Sequence, residues 1–237
     1  MAIRMVCIFI GSVILLCSPA VYGADIVDEL ITAEVILDGM LHFEADQGIL
    51  DYKVKVIETT DVIEKPEVVK VEKEIYFLAP SLQLTIIGEE PRSLQSDASF
   101  QVFLSRMFIE REKDTEINGV ECFKIVATPR EFAMDKYTKT YYISKEDFRK
   151  IRIESIRSEM NYNYIRYETD YYYDAYTDGE NIWALMSSIE VVGYDDKDNK
   201  ILEQVNEYFD YEIDIGLTQK DFEKMLEDYK TRYSEGT

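Results

Sequence analysis

The chain has 237 residues, 47 of them Asp or Glu against 26 Lys or Arg, for a formal net charge of −21. Such a surface repels phosphate backbones and anionic headgroups, which argues against nucleic acid and against electrostatic docking on a bilayer. What remains is a solvated acidic face or a basic protein partner.

Met1 to Gly23 reads as a secretory signal peptide. Arg4 precedes the apolar run Val6 to Leu16, Ser18-Pro19 breaks that run, and Val21-Tyr22-Gly23 offers small residues for a cut before Ala24. The run is shorter than the ~20 residues that span a bilayer, so cleavage is expected over the alternative of a retained anchor. Lipidation at Cys17 is disfavoured, because Leu15-Leu16 stand where a lipobox needs a small residue. Cys7 and Cys17 leave with the leader, so residues 24–237 form one domain with Cys122 as its single thiol and no internal disulfide. The periplasm is the expected location.

After the cut, Asp25 to Phe43 reads as an amphipathic helix, with Ile26, Leu30, Ala33, Ile36-Leu37 and Met40-Leu41 at three-to-four spacing. The rhythm then changes to two: Tyr52, Val54 and Val56 share one strand face and Lys53 and Lys55 the other. Val69 to Phe77 and Leu82 to Ile86 repeat it, while Ser99 to Phe108 suits a short helix. Asn118-Gly119 is a two-residue hairpin signal between Phe108–Ile117 and Val120–Thr128. Lys139 to Ser144, Arg149 to Ser158, Tyr164 to Tyr176, Ile182 to Val192 and Ile201 to Ile215 continue the strands, and Thr218 caps a last helix. Nine to eleven strands with short turns and few helices predict an α+β fold: a highly curved antiparallel sheet, an unclosed half-barrel with helices covering its mouth.

Signatures of catalysis are missing. His42 stands alone, Cys122 is followed by Phe123 and Ile125 as a buried thiol would be, and the sequence has no G-x-S-x-G, no Gly-rich phosphate loop and no zinc spacing. Asp195-Asp196-Lys197-Asp198-Asn199-Lys200 departs from a calcium loop at its fifth, sixth and twelfth positions and reads as a polar turn. No enzyme activity, catalytic residue, metal or cofactor is expected.

The run Tyr162 to Tyr176 is the unusual stretch. Ile165, Tyr167, Thr169, Tyr171 and Tyr173 alternate with Arg166, Glu168, Asp170 and Asp174. Such tyrosines either pack a core or wall a cavity, where each ring offers apolar area and each hydroxyl a polar tip. As a cavity wall, Ile165, Tyr167, Tyr171 and Tyr173 would be extended by Trp183 and Leu185 on the next strand.

Several segments, in order, resemble the LolA/LolB lipoprotein-carrier superfamily, which includes lipoprotein-sorting proteins and related sensor-regulators. They are Asp51-Tyr52-Lys53-Val54-Lys55-Val56, Tyr76-Phe77-Leu78-Ala79-Pro80, Ile117 to Ile125 with Thr128-Pro129, Tyr141 to Asp147, and Lys150-Ile151-Arg152-Ile153-Glu154. The resemblance implies an apolar cavity for acyl chains of lipoproteins or lipids, a membrane-bound donor or receptor protein, and sorting to the outer membrane. A non-enzymatic partner-binding or envelope-stress sensor module of the same fold is the alternative. No position matches the arginine with which the carriers hold their lid, and no individual functional residue is carried over.

Overall fold

The computed structural model describes residues 31–63, 65, 67–88, 90–130, 137–157 and 166–234. The expected leader, with Cys7 and Cys17, lies outside the described residues, as does Ile165. Within the compact unit Ala33–Thr237, the strands are β1 Asp51–Val62, β2 Val69–Leu78, β3 Leu82–Ile87, β4 Glu90–Gln95, β5 Met107–Ile117, β6 Val120–Pro129, β7 Tyr137–Ser144, β8 Lys150–Arg157, β9 Arg166–Asp178, β10 Asn181–Tyr194 and β11 Lys200–Ile213. Among the described residues four helices accompany them: α1 Ala33–Leu41, α2 Phe43–Asp46, α3 Asp97–Ser105 and α4 Gln219–Ser234.

All eleven strands join one sheet in the order β4-β3-β2-β1-β11-β10-β9-β8-β7-β6-β5. Every neighbouring pair is antiparallel. The sheet is not closed, since β4 and β5 are its edges. Two meanders, β1 to β4 and β5 to β11, are therefore zipped together where β1 pairs with β11, from Tyr52 opposite Ile213 to Val62 opposite Leu202. Helices α1 and α3 contact β5, and α4 contacts β4, the two edge strands.

Local chemistry explains the elements. Tyr52, Val54 and Val56 are buried while Lys55 points to solvent, the period-two pattern of a half-buried strand. Asn118 and Gly119 both take positive φ (53° and 81°), as the tight turn between β5 and β6 requires. Ser96 caps α3 by a reciprocal pair with Ser99, and the helix ends at Ser105, so Met107 and Phe108, which the sequence pattern places in the helix, open β5 instead. The Thr218 hydroxyl donates to Asp221 Oδ2 at 2.7 Å, and the Asp221 N–H returns a bond to Thr218 Oγ1, capping α4 as expected. Of the helix expected over Asp25 to Phe43, residues 25–30 lie outside the described residues; α1 runs from Ala33 to Leu41, and Phe43 opens the separate α2. Strand β4 has no counterpart in the sequence reading; its Pro91 is tolerated because the strand is an edge.

One core cluster among the described residues gathers Ile49, Tyr52, Val54, Val56, Ile75, Phe77, Trp183 and Leu185. A smaller cluster holds Cys122, Tyr142 and Ile151. Cys122 is fully buried and burial pushes its thiol upward, so the native protein should resist thiol reagents, and Cys122→Ala should cost only about 1 kcal/mol. Rapid labelling of folded protein would contradict this packing.

Helix α1 is fitted to one aromatic side chain. A Cβ on Gly39 would lie 2.9 Å from Phe148 Cγ and 3.0 Å from its Cδ1, too close for carbon atoms. Phe148 cannot swing away freely, because its backbone sits at φ 62° and its ring stacks on Phe123 at 5.9 Å. Gly39→Ala should therefore lose about 1–3 kcal/mol in denaturant unfolding, despite alanine's better helix propensity.

A polar, tyrosine-walled cavity

The pairing register brings side chains from distant strands onto one face. Tyr171 lies opposite Ile189, Ile189 opposite Asn206, and Asn206 opposite Glu58. One step along, Tyr208 faces Val56 and Val56 faces Lys73, while on the neighbouring pair Ile75 faces Thr85. These residues line a cavity of about 370 Å³, to which Glu44 contributes from α2 and Lys150 from the start of β8.

Helix α2 is pinned in place from both ends. The Phe43 ring meets Tyr173 edge-on at 5.5 Å, and the Gln47 side chain both accepts from the Ala184 N–H (2.6 Å) and donates to the Ala184 carbonyl (3.2 Å). Those backbone groups are open to a side chain because β10 pairs with β11 only from Ser188 to Tyr194. A bulge between Met186 and Ser188 turns the rest of β10 away, and the Tyr211 hydroxyl takes the Met186 carbonyl at 2.8 Å.

The lining mixes aliphatic groups, Val56, Ile75, Met186 and Ile189, with tyrosines and charges. Burial pushes the hydroxyls of Tyr52, Tyr171, Tyr173, Tyr208 and Tyr211 well above the ordinary tyrosine range, so all stay neutral. Glu58 and Lys73 are joined as an ion pair, and Gln204 Nε2 donates to Glu58 at 3.0 Å. Glu44 is different: burial raises its carboxyl, and Lys150 offsets this only in part. A carboxyl raised in the fold loses stability as pH climbs from its unfolded value of 4.5 through its folded value. Glu44→Gln should accordingly stabilise the protein at neutral pH, with a gain that shrinks to nothing below pH 4.5 in unfolding curves.

The residues expected to wall a site are placed as follows. Tyr171 lines the cavity. Tyr173 packs beside it against Phe43, its hydroxyl buried without a hydrogen bond among the described residues. Tyr167 leans over Gly193 and towards Tyr137. Trp183 and Leu185 stand opposite Tyr176 and Asp174 and belong to the core cluster around Tyr52. Glu44, Lys150, Asn206, Tyr208 and Tyr211 are the contributors that the sequence did not single out. Tyr208 and Tyr211 carried a faint signal, a three-residue spacing that the bulge near Asp210 (φ 54°) accommodates.

Among the described residues, no group of His, Cys, Asp and Glu is arranged to hold a metal ion, and no helix is long and apolar enough to cross a membrane. His42 Nδ1 is 3.5 Å from Asp38. The Asp195 carboxylate accepts from Lys197 and Asn199 N–H groups at 2.8 Å each, which makes Asp195–Asn199 a hydrogen-bonded turn.

The fold is similar to those of solved structures at low sequence identity. The chain is similar to a putative outer membrane lipoprotein-sorting protein domain from Vibrio parahaemolyticus, at 11% identity and a TM-score of 0.53 over 80% of this chain and 98% of that one. It is equally similar to a DUF1329 family protein from Desulfovibrio piger, at 10% identity and a TM-score of 0.53 over 80% and 96%. A LolA superfamily protein from Nitrosomonas europaea aligns at 12% identity with a TM-score of 0.47, over 80% and 96%. No protein-family profile and no curated protein matches the sequence.

Proposed function

We propose that the protein is a non-enzymatic extracytoplasmic carrier that holds the acyl chain of a lipid or lipoprotein and takes part in lipoprotein sorting. The observation that carries this reading is the cavity of about 370 Å³ beneath α2, in which Val56, Ile75, Met186, Ile189 and tyrosine rings offer apolar surface within a mostly polar lining. Gln83 on β3 and Lys150 on β8 line the same space, which supports a ligand site on one face of the open sheet. Binding by partition needs no covalent step: each methylene buried contributes ~0.8 kcal/mol, and release follows when a receptor covers the chain better. Tyr171 lines the space from β9 with Tyr173 packed beside it; the proposed wall extends along the same sequence series to Tyr167 and Ile165, and Trp183 and Leu185 support it from β10. In this reading Met1–Gly23 is a cleaved leader and the periplasm is the location of the mature chain.

The test is titration of the exported protein with a fluorescent fatty acid. Saturable binding with displacement by unlabelled acyl chains is expected. Absence of binding would favour the partner-binding module, in which the acidic surface engages a basic protein.

A further inference from the structure

Two opposite charges line the cavity and do not meet. Glu44 and Lys150 both face the space, yet no ion pair or hydrogen bond joins them. The same cavity contains a counter-example, since Glu58 and Lys73 close directly on each other. Glu44 and Lys150 are held apart by their supports: Phe43 and Gln47 fix α2, and the Lys150 ammonium sits over the Tyr171 ring, 5.2 Å from its centroid. Tyr52, Tyr171, Tyr208 and Tyr211 line the same space with neutral hydroxyls, and the nearby Tyr173 hydroxyl, electrostatically coupled to Glu44 and Tyr171, is buried without a hydrogen bond among the described residues.

From this arrangement we propose that the cavity recognises a zwitterion, its ammonium at Glu44 and its anionic group at Lys150. Lys150 relieves the buried Glu44 only in part, so a neutral ligand leaves both groups under-compensated and an anion or a cation alone leaves one; a molecule carrying both signs satisfies the pair. The tyrosine faces suit an ammonium as well, through their negative ring surfaces. A cavity of about 370 Å³ falls within the ~300–1,000 Å³ usual for small-ligand sites. The zwitterion is either a free small molecule or the headgroup of a lipid. The inference deepens the carrier reading by adding a headgroup site, but it does not depend on the acyl chain.

Calorimetric titration of the exported full chain separates these cases. The probes are phosphoethanolamine, lysophosphatidylethanolamine, lysophosphatidylglycerol and laurate. The zwitterionic lysolipid should bind about tenfold or more tightly than the anionic one, the size of one charge-assisted contact, and Glu44→Gln and Lys150→Met should each abolish that preference. Phosphoethanolamine binding as tightly as the lysolipid identifies a soluble ligand; binding of the lysolipid alone identifies a headgroup. Equal affinities for the two lysolipids, unaltered by either substitution, would overturn the zwitterion site and leave the acyl carrier standing. Phosphoethanolamine binding with no affinity for laurate would do the reverse. Should Glu44→Gln fail to fold, Lys150→Met and the wild-type ranking of the lysolipids decide.

Discussion

Phe123→Ala should destabilise the fold by about 3–5 kcal/mol, the usual cost of removing a buried aromatic ring. Phe123 is 1% exposed on β6 and supports charged groups as well as apolar ones. The Arg111 guanidinium lies 4.9 Å from its ring centroid and the Lys145 ammonium 5.5 Å, and both cations also pair with Asp114. On another side its ring stacks on Phe148, which in turn fills the space left by Gly39 of α1. The substitution removes apolar contact, two cation–π contacts and the backing of a helix together. A shift of the urea midpoint with an unchanged m-value is the expected reading, and a loss below about 1.5 kcal/mol would mean that the neighbours collapse into the gap.

Tyr171→Asp should weaken binding of an acyl probe by roughly a hundredfold, about 3 kcal/mol, because a carboxylate replaces ring surface on the cavity wall. Lys150 already sits above this position and would pair with the new charge, so the variant should keep its fold while losing its ligand. Glu168→Lys is the matching control on the opposite face of β9. Glu168 there pairs with Arg166 and accepts from Tyr194 at 3.4 Å, and reversing its charge should move stability by about 1 kcal/mol at most and binding hardly at all. Circular dichroism confirms folding, and fluorescence titration reads the affinities. Equal binding by wild type and folded Tyr171→Asp would remove β9 from the site.

Much of the sheet was legible because its signals are local. The Asn118-Gly119 turn, the Thr218 cap, the Asp195 turn and the alternation in β1 each depend on neighbours in sequence. Strand β4 was illegible for the converse reason: Glu90, Pro91, Arg92, Ser93 and Gln95 offer no apolar alternation, and only pairing with β3 makes them a strand. The cavity was half legible. The tyrosines of β9 stood out as a run, but Glu44, Lys150 and Asn206 converge from places far apart in the chain, where each reads as an ordinary polar residue. Bulges add a further obstacle, since one extra residue inverts which side chains face inward. The shift between Met186 and Ser188 is why Trp183 and Leu185 oppose Tyr176 and Asp174; without it they would oppose Thr177 and Ala175, which share the odd-numbered series of Tyr171 and Tyr173.

The place where β10 leaves β11 has a kinetic consequence. Nearly everywhere in this sheet a main-chain group is answered by another strand, so releasing it means unzipping several neighbours. At Ala184 the answer comes from one glutamine on a four-residue helix. Lifting α2 strips hydrogen bonds from just two backbone groups, at about 1–3 kcal/mol each, a small fraction of what global unfolding requires. The Ala184 amide should then exchange its hydrogen with solvent through this local opening, far sooner than the amides from Ser188 to Tyr194. Because the same helix carries Glu44, that exchange rate reports how often the cavity uncovers itself, and a bound ligand should slow it at this one amide before any other.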